Sequence, residues 1–445
     1  MDLFSKQYNR LFYLISFVII VAYACIQVSY FLEIPEPRLF PDSNRYLKLT
    51  TSSGNEFNPN EGVTTPLMPL IYKLLGKNLK IIAYAQLFVS ICSWTFLGFA
   101  IARSLKSIWL MPLVYITILT LSLSDIISLW NSTILSESFS LSFFACFIGA
   151  WIIIVPKISL KRFLALIAIS ILFGFLRSIN AYIVLMIGGI IAMIGYINQK
   201  GKGRHYYILL QIVFIVVFIM SNKFSDSGNH WTSYTLNVFS TRILPNQEYR
   251  AYFEKHGMPV NENLLARTGK IYYEDDFAYY KDPKLEQFRN WLYLHGKSTY
   301  LRYLLTHPRY LLLKPLHDLQ DMLFSSRLIY YAPKGFILSP PGKLFDAVSA
   351  WGLYPAYIFF TGILVGLNIV FTLSKKSTAS WVPLIMIFLV YPLAAIIWHG
   401  DSHEIDRHVL PVVVQARLGF VLLLLLTIDT IISESHLCSM RENKY

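Results

Sequence analysis

Long apolar runs constrain this chain more than any other feature of its sequence. Ten runs approach or reach the roughly 17–25 residues that a helix needs to cross a bilayer. They are Leu11–Leu32, Ile81–Ile101, Trp109–Ser124, Leu135–Val155, Phe163–Leu176, Ala181–Ile197, Tyr206–Met220, Trp351–Leu373, Trp381–Trp398 and Val409–Ile432. Several runs are short and need flanking residues to span the membrane. The pattern predicts an all-α polytopic membrane protein with about 10 transmembrane helices.

The composition agrees with this prediction. Only 15% of the 445 residues are charged, whereas a soluble protein usually has about 25%. Cys25, Cys92 and Cys146 lie inside apolar runs and Cys438 lies in the polar tail, so no disulfide framework or metal motif is predicted. The first run has no small-residue cleavage site after it, so we expect it to be an uncleaved helix.

The net charge of +13 raises the question of nucleic acid binding. Many of the basic residues fall in short segments between apolar runs, which favours a role in membrane orientation instead. With the N-terminus in the cytoplasm, every inside segment is basic, from Lys6 and Arg10 at one end to Arg441 and Lys444 at the other. We therefore expect both termini inside and no nucleic acid partner. Anionic membrane lipids or a phosphate-bearing substrate are a second reason for the charge.

This topology divides the chain into three parts. Residues 1–220 hold helices one to seven and a first outside loop at 33–80, residues 221–350 form a large outside region, and residues 351–445 hold helices eight to ten and an inside tail. Within the large region, "LEQFRNWLYL" and "STYLRYLLTHPRYLLLKPLHDLQDMLF" place apolar residues at three- and four-residue spacing, which predicts amphipathic helices. The second, with Arg302, Arg309 and Lys314, is predicted to lie at the membrane interface.

Two carboxylates stand out in the segments assigned outside. Asp42, in "PDSNRYLKLT", lies just beyond the first helix together with Arg45 and Tyr46. A carboxylate at the membrane edge can accept a proton from a hydroxyl group, although a solvated turn is the simpler interpretation. Glu137 opens the fourth helix, where it either faces a polar cavity or complements the helix dipole.

Basic and mixed clusters lie in the same compartment. Arg177 occupies a short outside loop, and its guanidinium either snorkels to water or binds a phosphate, for which its fork geometry is suited. "WHGDSHEIDRHVLP" holds Glu404, Arg407 and His408. The spacing of its histidines and acids is not a recognised metal signature, so we expect no metal and interpret the segment as a polar gate beside a phosphate site.

At these residues the chain resembles the GT-C glycosyltransferases, multi-pass enzymes that take a sugar from a polyprenyl-phosphate carrier. The resemblance rests on "PDSNRY" after the first helix, "TPLMPLIYKLLG" further along, "LSES" at the fourth helix, "EIDRHVLP" before the last helix and "RILPNQEYRAYFEKHGMP" in the large outside region. The chain departs from the protein O-mannosyltransferase pattern, because Asp42 is followed by Ser43 rather than by a second acid. It also has no "WWDYG"-type motif of oligosaccharyltransferases.

The resemblance implies a GT-C-like fold in the inner membrane, with the active site on the extracytoplasmic side. It implies a polyprenyl-monophosphate sugar as donor, a glycan or lipid as acceptor, and no cofactor. Asp42 would be the general base and Glu137 a second catalytic acid. Arg177 and Arg407 would contact the carrier phosphate, and Arg45, Tyr46, Glu404 and His408 complete the substrate-binding candidates.

Two other functions fit parts of the pattern. An O-antigen polymerase or ligase also has ten or more helices and a large outside loop, but relies on outside Arg and His rather than on a first-loop carboxylate. A lipid-linked sugar transporter or flippase often shows inverted repeats and polar residues at mid-membrane. This sequence shows no repeat, and its polar clusters lie at helix ends.

Overall fold

The computed structural model describes residues 2–48, 66–199, 201, 203–227, 230–324, 330–348, 351–375 and 380–442. The predicted outside segments 33–80 and 221–350 are therefore described in part. The end of the "PDSNRYLKLT" motif at Leu49 and Thr50, Thr65 of "TPLMPLIYKLLG", and the side chains of Lys6, Cys438, Arg441 and Lys444 lie outside the described residues.

The described residues form helices and contain no strand beyond an isolated bridge between Arg38 and Thr133. In chain order the helices are α1 (Asp2–Leu32), α2 (Pro41–Lys48), α3 (Leu67–Leu74), α4 (Leu79–Ser104), α5 (Met111–Ser122), α6 (Asp125–Ser128), α7 (Glu137–Ile154), α8 (Leu160–Gly174), α9 (Ser178–Ile183), α10 (Gly189–Asn198), α11 (Gly203–Ser227), α12 (His230–Val238), α13 (Gln247–Lys255), α14 (Glu262–Leu265), α15 (Glu274–Lys281), α16 (Glu286–Trp291), α17 (Lys297–Thr306), α18 (Pro308–His317), α19 (Leu319–Phe324), α20 (Pro340–Val348), α21 (Tyr354–Lys375), α22 (Trp381–Phe388), α23 (Val390–Gly400), α24 (Ile405–His408) and α25 (Leu410–Glu442). Short 3-10 or π segments join several of them.

Eight helices in the described part are long and apolar enough to cross a membrane. They are Arg10–Leu32, Leu79–Ser104, Glu137–Ile154, Ser178–Asn198, Gly203–Asp226, Tyr354–Leu373, Trp381–Gly400 and Leu410–Glu434. A ninth span is possible where Ile108–Ser122 and Asp125–Ser132 meet at 64°. The prediction of an all-α polytopic membrane protein is confirmed.

The two remaining predicted runs show why the count differs from ten. Helix α8 covers the run Phe163–Leu176 but has 15 residues, which is about 22 Å of helix against a hydrocarbon core of about 30 Å. The run Trp109–Ser124 ends at the bend between α5 and α6. Both segments are helical as predicted, but neither is a full-length straight span.

The helices differ greatly in burial. Within its most apolar stretch, α7 has 83% of its residues buried and α25 has 72%, whereas α1, α11 and α21 have 22% each. Close packing at the centre depends on small residues. A Cβ atom at Gly149 of α7 would lie 2.9 Å from the Phe96 ring of α4. Helices α7 and α25 are thus central, and one begins at Glu137 while the other begins just after Arg407.

The described part of the predicted outside segment 221–350 folds into the end of α11 and helices α12–α20. Its buried side chains, such as Phe239, Phe253 and Tyr303, belong to the same hydrophobic core as those of the membrane spans. Helix α18 lies beside α23, since the Tyr391 hydroxyl donates to a carbonyl oxygen of α18 and His399 Nε2 contacts a second one at 3.0 Å. The predicted amphipathic stretches are helical, as α16 to α19.

A cluster of charged side chains holds α20 against the bend between α5 and α6. The Asp125 backbone N–H donates to the Asp346 carboxylate at 3.0 Å, and Arg417 Nη1 lies 3.4 Å from the same carboxylate. The approach is close, because a Cβ atom on Gly342 would lie 2.1 Å from the Leu123 carbonyl oxygen. Burial and the neighbouring Asp125 raise the pKa of Asp346 to about 7.

This cluster predicts a stability that depends on pH. Because the pKa of Asp346 is higher in the folded protein than its unfolded value of about 3.9, its contribution to stability is present at pH 4 and is lost as the pH rises through 7. In detergent, the wild-type unfolding temperature should fall by several degrees more between pH 5 and pH 8 than that of Asp346→Asn. Asp226→Asn, at an exposed site, is the control. Equal slopes in Asp346→Asn and wild type would contradict this assignment.

Candidate active site

The position of Asp42 is fixed by α2 and its contacts with the segment before α7. The backbone of Arg38 pairs with residues 132–134, through bonds of 3.0 Å to the Ser132 carbonyl and 2.9 Å from the Ile134 N–H. The Ser43 hydroxyl accepts from the Phe40 N–H and donates to the Ile134 carbonyl. This segment leads directly to Glu137, so α2 is held beside the start of α7, which is the most buried of the candidate spans in the described residues.

Glu137 lies at the centre of the site. Its side chain is 0% exposed, and one oxygen, Oε1, is 3.0 Å from Arg177 Nη1 and 3.0 Å from Arg407 Nε. A buried carboxylate is costly unless it is paired. The two guanidiniums come from segments 230 positions apart in the chain and would repel each other without the shared carboxylate between them.

Arg407 is surrounded by three carboxylates. In addition to Glu137, its Nη2 lies 2.6 Å from Asp42 Oδ2 and its Nη1 lies 2.7 Å from Glu404 Oε2. Burial lowers the pKa of Arg407, but Glu137, Asp42 and Glu404 together raise that pKa well above its usual value. The guanidinium is therefore permanently charged. Glu404 adopts a left-handed backbone conformation with φ of 50°, which is uncommon outside glycine and marks a constrained loop.

Asp42 and Glu404 are the accessible acids of the site, with 32% and 28% of their side chains exposed. Burial raises the pKa of Asp42, but the adjacent Arg407, with a smaller contribution from Arg45, lowers it below its usual value. Arg45 Nη1 lies 3.9 Å from Asp42. Asp42 is thus ionised at neutral pH and is held by an arginine in this state.

His408 extends the network on the other side of Arg177. Arg177 Nη2 lies 3.4 Å from His408 Nδ1, and since a guanidinium can only donate, this nitrogen accepts. The proton is then on Nε2, which is 3.6 Å from Asp401 Oδ2. Burial, Arg407 and Arg177 lower the pKa of His408 well below its usual value, so the ring is neutral. Burial also raises the pKa of Asp401, to about 6, although Asn237 donates to it at 3.0 Å.

The structure brings the predicted residues together. Asp42, Arg45, Glu137, Arg177, Glu404, Arg407 and His408 form one network of charged and hydrogen-bonding side chains. Tyr46 lies one turn after Asp42 on α2. It is buried, and its ring is edge-on to that of Tyr72, with 6.0 Å between the ring centroids. No three His, Cys, Asp or Glu side chains in the described ranges are grouped closely enough to hold a metal ion. The individual roles of these residues remain predictions.

Three residues that the sequence did not single out as site residues complete the network. Asp401 lies against His408, Asn237 donates to Asp401, and the Tyr331 ring lies 6.0 Å from the Arg407 guanidinium. The density of charge in the loop before α24 is a signal that includes Asp401. Nothing distinguishes Tyr331 among 29 tyrosines, and Asn237 lies in no motif.

No protein-family model and no curated protein matches the sequence of this chain. Among solved structures, the chain is similar to the archaeal oligosaccharyltransferase AglB from Archaeoglobus fulgidus in complex with an inhibitory peptide and a dolichol-phosphate. The identity is 10% and the TM-score is 0.47. The match covers 97% of this chain and 52% of that one, so this chain spans about half the length of that structure. Similarity at this level assigns neither an activity nor a residue.

The shared carboxylate predicts a large effect on stability. Glu137→Gln leaves the buried guanidinium of Arg177 without its paired carboxylate and removes one of the three carboxylates around Arg407, so we expect a loss of about 3–5 kcal/mol in the free energy of unfolding, measured by denaturation in detergent. Glu254→Gln is the matched control, because Glu254 is 43% exposed and pairs with Arg250 at 3.1 Å. It should cost less than about 1 kcal/mol. Equal losses in the two variants would show that Glu137 does not hold the arginines in place.

Proposed function

We propose that this protein is a membrane glycosyltransferase that moves a sugar from a polyprenyl-monophosphate donor to an extracytoplasmic glycan or lipid acceptor. One observation carries the proposal. Asp42, Glu137, Arg177 and Arg407 come from four separate segments and meet at one end of the bundle of membrane spans. Asp42 can accept the proton of an acceptor hydroxyl group, and Arg177 and Arg407 can bind a phosphate. We expect the headgroup of a lipid substrate to reside at this end of the bundle.

The chemistry needs these residue types. In the transfer step the acceptor hydroxyl oxygen bonds to the anomeric carbon of the sugar, and the bond from that carbon to the phosphate oxygen breaks. The hydroxyl proton goes to Asp42 as general base. The carrier phosphate leaves with the electron pair and gains one negative charge, which Arg177 and Arg407 stabilise through charge-assisted hydrogen bonds.

The contact between Asp42 and Arg407 suggests how Asp42, a weak base, becomes basic enough to accept the proton. In the absence of substrate, Arg407 is engaged by Asp42 at 2.6 Å, which keeps the pKa of Asp42 low. A carrier phosphate that binds Arg407 takes the place of Asp42 as its partner. Asp42 is then free to turn toward the acceptor, and its pKa rises because a favourable charge has been removed.

The other candidates receive supporting roles. Glu137 is fully buried. This favours a role in which Glu137 positions Arg177 and Arg407 and does not contact the substrate itself. Neutral His408 contacts Arg177 on the side away from Glu137, and Tyr46, one turn after Asp42 on α2, packs against Tyr72. No step requires a metal ion or another cofactor.

We assign the site to the extracytoplasmic face of the inner membrane, with both termini in the cytoplasm, because the segments on the side of the termini are basic.

Replacement of Asp42 by Asn tests the proposal. Asp42→Asn keeps the size of the side chain but cannot accept the proton, so transfer should fall by at least about 100-fold. The assay follows a radiolabelled polyprenyl-phosphate sugar and detects the new glycosidic product and the free carrier phosphate. The control is Asp226→Asn, at an exposed residue paired with Lys297, which should keep wild-type activity. Undiminished transfer by folded Asp42→Asn would exclude Asp42 as the base.

The contact between Arg177 and His408 supports one alternative, an O-antigen polymerase or ligase that relies on outside Arg and His. Under our proposal, Arg407→Lys should lower turnover by roughly 10–100-fold, because an ammonium cannot replace the guanidinium fork, and Asp42→Asn should lower it at least as much. Activity that depends on Arg407 and His408 but survives in Asp42→Asn would favour the alternative. Movement of the lipid-linked sugar without any new glycosidic product would indicate a transporter.

A further inference from the structure

Helices α17 and α18 carry an unusual charge pattern for a segment on this side of the membrane. Residues 297–317, "KSTYLRYLLTHPRYLLLKPLH", contain four Lys or Arg, seven Leu and no Asp or Glu. Lys297 is paired with Asp226 at 2.9 Å. Arg302, Arg309 and Lys314 are exposed and have no side-chain partner within the residues that the structure describes.

The leucines of these helices are exposed as well. Leu301, Leu305, Leu312, Leu313 and Leu316 are between 50% and 79% exposed. Arg309 precedes Leu312 and Leu313 by three and four positions, so it lies on the same face of α18. Arg302 is next to Leu301 and three positions before Leu305 on α17. Each arginine therefore sits at the edge of an exposed apolar surface.

The contacts of α18 place this surface at the membrane. Helix α23 belongs to the candidate span Trp381–Gly400. Tyr391 donates to the Leu312 carbonyl, and His399 contacts the Leu311 carbonyl. Tyr391 is nine positions before the end of that span, or about 13 Å along the helix. His399 is one position before the end of the span, so the leucine surface of α18 lies between the level of Tyr391 and the end of the span, where acyl chains meet headgroups.

We propose that the surface formed by these five leucines is embedded in the leaflet on the side of the active site, and that Arg302 and Arg309 bind the phosphates of anionic phospholipids there. Unpaired guanidiniums beside exposed leucines match a lipid that offers a phosphate at the headgroup level and chains below it. The positive-inside tendency disfavours such arginines outside, and an anionic headgroup supplies a counter-charge that none of the described residues provides.

This surface is connected to the catalytic network. Directly after α18, Asp318 accepts a hydrogen bond from Trp398 Nε1 at 2.8 Å. Trp398 lies on α23, three positions before Asp401, which follows the end of that helix. Lipid bound at Arg302 and Arg309 would thus fix the height of the outside helices relative to the loop that carries Glu404 and Arg407. The proposal goes beyond the transferase activity and does not depend on it.

Native mass spectrometry of the full chain in detergent tests the proposal. Phosphatidylglycerol and phosphatidylcholine with identical acyl chains are titrated onto wild type, Arg302→Gln/Arg309→Gln and Lys255→Gln/Lys284→Gln. The last variant is the matched control, because it removes two exposed charges from α13 and from the turn before α16. Wild type and the control should bind phosphatidylglycerol roughly tenfold more tightly than phosphatidylcholine, and the arginine variant should lose this preference.

Three results would overturn the proposal. One is equal binding of the two phospholipids by wild type, and another is an equal loss of preference in the lysine control. The third uses polyprenyl phosphate as an additional probe. If the arginine variant loses affinity for that lipid while wild type shows no preference for phosphatidylglycerol, the surface serves the substrate carrier instead. The thermal unfolding of each variant is measured in parallel, and none of these readouts requires transferase activity.

Discussion

The arrangement of the site depends on one oxygen atom, Glu137 Oε1, which two arginines share at the start of the most buried helix. An unpaired carboxylate at that position would cost several kcal/mol, and two guanidiniums so close together need an anion between them. The pairing therefore requires the loop before α9 and the turn before α25 to meet at α7. Helix α2 joins the same point, because Asp42 binds Arg407 and Ser43 binds the segment that precedes Glu137.

The charges of the seven predicted residues in this network balance one another. Asp42, Glu137 and Glu404 face Arg45, Arg177 and Arg407, while His408 is neutral. A balanced network is compatible with a position at the membrane surface, where an unpaired charge is costly. In the proposed mechanism, a phosphate that enters adds negative charge and replaces a carboxylate as the partner of an arginine. Binding of the phosphate then also releases Asp42 from Arg407, so the base becomes available only when the substrate is bound.

The helices could be predicted from the sequence because they depend on local signals, and the same kind of signal drew attention to the charged side chains that the structure brings together. Apolar runs such as Leu11–Leu32 form helices wherever they occur, and charged residues such as Arg177 are conspicuous in short loops of an apolar chain. The break after α5, the short α8 and the full burial of Glu137 depend on contacts between distant segments. The same holds for Asn237 and Tyr331, because Asn237 on α12 contacts Asp401, and Tyr331, in the segment before α20, contacts Arg407.

Asp42 and Glu404 occupy opposite ends of the Arg407 fork, at 2.6 Å and 2.7 Å, and both are partly exposed. A phosphate needs only one end of that fork. If it displaces Asp42, Glu404 still holds Arg407 in place, and its backbone at φ of 50° keeps it there. Asp42 lies in the first turn of the eight-residue helix α2, on a different element from the turn that carries Glu404 and Arg407. The geometry thus favours Asp42 as the base and Glu404 as the anchor of the arginine, although both carry the same functional group.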